Sequence, residues 1–295
     1  MLKVKVAAQP IIWSNDDFHD LGGNTPLEQC LKEMRQAGYE GTELGHKMPK
    51  NAELLLPLLK ENGLQLVSGW HSTYLASRSF QDETTDFKAH MKFLKDMGCK
   101  VVIAAECTNR VYHTPGKALD WEFAQSPFDE SEWKKITTGL DEFAKMAEGQ
   151  GMKLVYHHHM GTGIQNLRQI ERLMENTKHL WLLGDTGHLA FAGENPAEVF
   201  ETYKSRIGHV HLKNVRPDIV RTARFNHWSF DKAVREGVFT VPGDGGLDFK
   251  PIFQIMDGVN YEGWFVVEAE QDPVKANPLE YAKKGRAYIQ QTAGV

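Results

Sequence analysis

Short apolar runs alternate with amphipathic segments along the whole chain. Val4–Ala8, Gly41–Leu44, Leu64–Trp70, Lys100–Ala105, Met152–His157, Leu180–Gly184, His209–Leu212 and Trp264–Glu268 are mostly short apolar or β-branched runs. Strands of a parallel sheet, buried on both faces, read this way. Between these runs, apolar residues recur at spacings of three and four, the signature of a helix packed on one side. Thr25-Pro26-Leu27-Glu28 predicts a helix start with Thr25 as the hydroxyl cap. Leu27, Cys30, Leu31 and Met34 share its inner face, and Gly38 stops it. A second helix is predicted over Ser131–Gly149, with Trp133, Ile136, Leu140, Phe143 and Ala147 inward. Asn195-Pro196 and Asn277-Pro278 open two more. In Leu54–Leu59, Pro57 interrupts the helical pattern unless the helix begins there.

Eight strands alternating with helices predict an α/β fold. The expected architecture is a single (β/α)8 TIM barrel over residues 1–295, with long loops at the C-terminal face of the strands. The two longest connections run from Glu106 to about Glu130 and from Asn214 to about Phe239. Both follow a strand, so both fall on the face where barrels build active sites. The second carries Arg216, Arg221, Arg224, His227, Trp228 and Arg235. It reads either as a solvated loop or as a lid over a polyhydroxylated or anionic ligand.

Composition narrows the function classes. With 41% hydrophobic and 25% charged residues, the chain can bury a sizeable core. Its 34 basic and 39 acidic residues give a net charge of −5, which argues against nucleic acid as a partner. No apolar run approaches the roughly 18 residues a bilayer requires, and no secretory h-region follows Met1. Cys30, Cys99 and Cys107 lack metal-site spacing and suit a reducing compartment. The expectation is a cytoplasmic protein without a membrane partner.

The chemistry concentrates where strands end. Glu43, His71, the run His157-His158-His159, Asp185, His211, Lys213, Glu268 and Glu270 all stand at predicted strand C-termini, with His188 three residues after Asp185. In a barrel such residues converge on one pocket. Strand alternation sends His157 and His159 to one face and His158 to the other, where it reads as structural. Imidazoles and carboxylates together suit a first-row divalent ion. The predicted ligand set is His157, Asp185, His211 and Glu268, with Glu268 preferred to Glu270 because it lies nearer the strand. Four protein ligands leave room for two substrate oxygens on a six-coordinate ion such as Mn²⁺, Co²⁺ or Mg²⁺. Val241–Gly246 is glycine-rich but lacks Walker A spacing, so it reads as a turn.

Asp185-x-x-His188, His211-x-Lys213 and the terminal Glu268 resemble the xylose-isomerase-like TIM-barrel superfamily. Within it, nearly the whole chain is similar to the inosose dehydratase family. The specific strings are Trp13-Ser14-Asn15-Asp16-Asp17 and Tyr156-His157-His158-His159-Met160-Gly161-Thr162. The resemblance implies dehydration of a polyol ketone, scyllo-inosose, to a trihydroxycyclohexane-1,2-dione, with Mn²⁺ or Co²⁺ as cofactor. Where many superfamily relatives carry a glutamate ligand, this chain has His157. A second ligand set, Asp185, His211, Glu268 and water, therefore stands beside the first. His159 is the leading acid–base candidate, followed by His188, Lys213 and Glu43. Trp13, Trp70 and His71 are expected to wall the substrate ring. The rival activity is isomerisation or epimerisation of a keto-sugar through the same enolate. A DNA endonuclease of the superfamily fits less well, because the chain shows no basic stripe. A homo-oligomer is possible.

Overall fold

The computed structural model describes residues 2–119 and 127–295. Eight strands form one curled parallel sheet: β1 (Lys3–Ala8), β2 (Gly41–Thr42), β3 (Gln65–Leu66 and Trp70–Thr73), β4 (Val101–Glu106), β5 (Lys153–His157), β6 (Trp181–Asp185), β7 (Ile207–Leu212) and β8 (Glu262–Val267). β1 pairs with both β2 and β8, and the remaining strands follow in order. β3 closes the barrel by changing partner along its length. Its first segment pairs with β2 and its second with β4. Across the join, Val67 N donates to Thr42 O and Ile103 N donates to Gly69 O. The single strand expected over Leu64–Trp70 is thus the first part of a longer, interrupted one.

Alternation along the strands sets the barrel interior in layers. Val155, Leu183 and Val266 belong to small buried apolar clusters apart from the main core. One strand period further on stand His157, Asp185 and Glu268. An apolar layer thus lies beneath the polar rim. Outside the sheet, the helices bury their apolar faces in the main core, where Phe87 and Phe143 stack at 4.5 Å. β6 passes close to one of these helices at Gly184, where a Cβ would fall 2.4 Å from the Phe200 ring.

The helix starts are mostly as expected. Asn195 and Asn277 cap helices Pro196–Tyr203 and Pro278–Ala293. Helix Glu130–Glu148 starts from Asp129 in a reciprocal capping box with Glu132. Thr25 is not a cap, because Pro26 is extended and the helix begins at Leu27, one residue later than predicted. Helix Ala52–Glu61 runs through Pro57. The Asn51 side chain accepts from Glu53 N and Leu54 N, and buried Leu55 and Leu59 anchor the inner face, which offsets the missing backbone donor.

The connection after β7 is neither an open loop nor a simple flap. Asn214–Val215 pairs with Phe239–Thr240 as an antiparallel ribbon, and helices Pro217–Phe225 and Phe230–Arg235 lie between. Phe230, Val234 and Phe239 pack with Tyr112, Met160 and Phe191 in a second core above the barrel rim. The connection after β4 contributes Tyr112 and Leu119 to the same core, while its residues 120–126 lie outside the described residues. The three cysteines are buried free thiols. Among the described residues, no helix is long and apolar enough to cross a membrane.

Candidate active site at the C-terminal rim

A cavity of about 260 Å³ opens at the C-terminal rim. His157 and His159 from the end of β5, His211 from β7, and Glu268 and Glu270 after β8 line one side. Asp16 and Asp17 after β1, Glu43, His46 and Lys50 after β2, Trp70 on β3, and Arg110 and Tyr112 after β4 are among the residues lining the rest. A larger cavity of about 1290 Å³ opens at the opposite end, between strand starts, and is lined mainly by apolar residues, glycines and lysines. Of the rim histidine and carboxylate cluster it includes only His209, so the smaller cavity is the site.

The imidazole orientations follow from backbone carbonyls. His157 Nδ1 lies 2.7 Å from the His158 carbonyl, and His159 Nδ1 lies 2.8 Å from that of Met160. A carbonyl only accepts, so each Nδ1 carries the hydrogen and each Nε2 exposes a lone pair. His157 Nε2 faces Asp185 Oδ2 at 3.5 Å. Two acceptors with no proton between them are an arrangement a cation resolves. Asp185 Oδ2 is buried without a hydrogen bond, as is His211 Nδ1. His211 Nδ1 lies 3.5 Å from Asp185 Oδ2 and 2.6 Å from Glu268 Oε2. Asp185 Oδ1 is already engaged, accepting from Gly187 N and His188 N at 2.8 Å.

Donor atoms of His157, Asp185, His188 and Glu268 lie within 4.8 Å of one another, so His188 joins this cluster in the place expected for His211. Both nitrogens of His188 face donors, Nδ1 the Met160 N–H at 3.3 Å and Nε2 the Lys213 ammonium at 2.9 Å, and a neutral ring, with one lone pair, accepts from only one of them. Lys213 also donates to Glu270 at 2.8 Å and sits 2.5 Å from Glu268 Oε1. Burial opposes its charge, but Asp185, Glu268 and Glu270 outweigh burial and raise its pKa above the usual lysine range. Burial likewise opposes ionisation of Glu268, yet Lys213 and His211 hold it down to about 2. Burial disfavours a charged His211, and Glu43 and Glu268 override it, placing its pKa well above the usual imidazole range.

Glu43 Oε1 lies 2.8 Å from His209 Nε2 and 3.1 Å from His211 Nε2, and accepts from Ser68 Oγ at 2.6 Å. Its carboxylate stays ionised despite burial because of these neighbours. Asp185, His188 and Lys213 do not line the cavity; they stand behind its wall. His158 is buried outside the cavity lining, and burial depresses its pKa to about 3, as befits a structural histidine.

Two expected wall residues lie elsewhere. Trp13 is fully buried in the main core and donates to Glu33 at 2.7 Å, because a short 3-10 turn at Pro10–Ile12 carries it off the barrel axis. His71 stacks on His90 at 5.3 Å, away from the cavity, because it alternates with Trp70 along β3. Trp70 does line the cavity, with its ring edge-on to His157 and His159. The arginines of the long connection are engaged elsewhere too. Arg216 binds Gly237 O and Asp244, and Arg235 binds Asp20 and Asp231. The cations lining the cavity are instead Lys50 and Arg110. Arg110, Tyr112 and His46 carry no signal in the sequence beyond their position just past strand ends, whereas Asp16 and Asp17 lie in the Trp13–Asp17 string.

The family profile described as xylose isomerase-like TIM barrel matches residues 15–292. The chain is 48% identical over 296 residues to an inosose dehydratase of Geobacillus thermodenitrificans, covering 99% of this chain and 98% of that one. It is 46% identical, with the same coverage, to an inosose dehydratase of Clostridium beijerinckii. The chain belongs to the xylose isomerase-like TIM barrel family and, within it, to the inosose dehydratases. It is an enzyme of that type. Among solved structures, the IOLI protein with a bound zinc atom shares the fold, with a TM-score of 0.65 at 16% identity over 99% of this chain and 98% of that one.

Proposed function

We propose that the protein is a metal-dependent lyase that dehydrates scyllo-inosose to a trihydroxycyclohexane-1,2-dione in inositol catabolism. The observation that carries this reading is the near-full-length similarity to inosose dehydratases, joined to a ring-sized cavity rich in imidazole and carboxylate. Asp185 Oδ2, buried without a hydrogen bond, and the facing lone pair of His157 fit a divalent ion. His157, Asp185, His211 and Glu268 would hold it, His211 giving up the Nδ1 proton it otherwise shares with Glu268, while His188 faces Met160 N and Lys213 Nζ, two donors that a cation would have to displace. Mn²⁺ or Co²⁺ suits this mixed set. Such an ion supplies Lewis acidity toward the ketone oxygen and acidifies the neighbouring C–H.

The residues do the rest. His159 Nε2, its lone pair fixed by the Met160 carbonyl, takes the α-proton. Glu270 Oε1, 3.8 Å away, stabilises the imidazolium that forms. Lys213 and His188 act through Glu270 and Glu268, which they position, and Glu43 holds His211. Trp70, edge-on to His157 and His159, walls the substrate ring beside them. Metal-stripped enzyme should regain activity with Mn²⁺ or Co²⁺, the product losing one water by mass and gaining enone or dione absorbance. A product of unchanged mass would reject dehydration in favour of isomerisation.

A further inference from the structure

Dehydration needs a proton donor as well as a base, and the cavity walls differ in what they offer. Its carboxylates fall into two kinds. Glu43 is held by two histidines and Ser68, Glu268 by His211 and Lys213, and Glu270 by Lys213. Asp16 Oδ1 lies 2.6 Å from His46 Nδ1 and also accepts the His46 backbone N–H. Each of these is already engaged by a donor group of the protein. Asp17 is different. Among the described residues, its side chain makes no hydrogen bond or ion pair with the protein. Its backbone is nonetheless fixed. Asp17 N and Phe18 N donate to Asn15 Oδ1 at 2.8 and 2.7 Å, and Phe18 is buried in the second core. The carboxyl is therefore delivered to the cavity by a rigid turn and left for a ligand to engage.

Resting on the dehydratase reading above, we propose that Asp17 is the catalytic acid that protonates the departing β-hydroxyl. The α C–H electrons form the enediolate as His159 takes the proton. The β C–O bond then breaks, its electron pair leaves with oxygen, and the Asp17 proton completes the water. The enol left behind tautomerises to the dione, and Asp17 regains a proton from solvent. Its surroundings suit the task. Burial raises the Asp17 pKa to about 7; Glu270 and Asp16 add to the rise, while His159 and Arg110 oppose it. An acid poised near neutrality is half loaded at working pH.

Asp17→Asn keeps the shape and removes the donor. On scyllo-inosose it should lower kcat by about 10²–10⁴-fold, the usual contribution of a general acid. Exchange of the α-hydrogen with deuterated solvent should persist. An inosose analogue with fluorine in place of the β-hydroxyl should lose fluoride at near wild-type rate, because fluoride leaves without a proton. Near wild-type water loss in D17N would overturn the proposal. So would equal loss of water elimination, fluoride elimination and exchange in a variant that still unfolds cooperatively and no lower than wild type. Wild-type enzyme inert toward scyllo-inosose with every metal would instead overturn the dehydratase reading itself, whatever D17N does.

Discussion

Single side chains decide the chemistry here by what neighbours leave unbonded. Lys213 is a buried ammonium among three carboxylates, and its removal leaves like charges uncompensated. Lys213→Met should cost about 3–5 kcal/mol in chemical denaturation of the metal-free protein. A loss under about 1 kcal/mol would mean the acids simply protonate. Asp17 presents the opposite case. Its folded pKa of about 7 lies above the ordinary 3.8, so its stabilising contribution is whole below about pH 4 and fades as pH rises toward 7. Asp17→Asn removes that titration. The variant should match wild type near pH 4 and melt higher at pH 8. A gap that does not change with pH would contradict the raised pKa. The imidazoles are set by geometry that spacing alone does not carry. Alternation puts His157 and His159 on one face, but only the His158 and Met160 carbonyls fix their tautomers.

Elements place these residues, and here local chemistry and tertiary packing share control. Strand positions, the proline-led helix starts at Asn195 and Asn277, and the amphipathic face of Glu130–Glu148 follow from short-range pattern. Pro57 shows where packing prevails, since Leu55 and Leu59 carry the helix through it. Replacing Pro57 with Ala should restore a backbone donor and stabilise the fold by about 1–3 kcal/mol. An unchanged or lower melting temperature would show that the helix is already optimised around the proline. Trp13 and His71 lie off the cavity for element-scale reasons. A 3-10 turn redirects the first, and strand alternation turns the second outward.

Across the whole molecule, the rim is roofed by chain from distant parts of the sequence. Phe230 joins Phe18, Tyr112, Phe191 and Phe239, and its ring lies 5.3 Å from His159 and 6.1 Å from His188. Phe230→Ala should destabilise by about 3–5 kcal/mol and lower kcat as the histidine pair loses its backing. Full activity in a destabilised variant would separate the second core from the site.

The sequence by itself determined the barrel, because strands buried on both faces and one-sided helices leave a short-range apolar record. It also determined that His, Asp and Glu would meet, because a closed parallel sheet aims every strand's C-terminus at the same rim. Tertiary structure decided which atoms meet. What the ring nitrogens face is set by Met160 and Lys213 for His188 and by Glu43 and Glu268 for His211, each 25 or more residues away along the chain. That Asp17 alone among the cavity carboxyls has no hydrogen-bond or ion-pair partner among the described residues depends on where the neighbouring cations went. Pairing of this kind is a property of three-dimensional neighbours, and periodicity along the chain does not encode it.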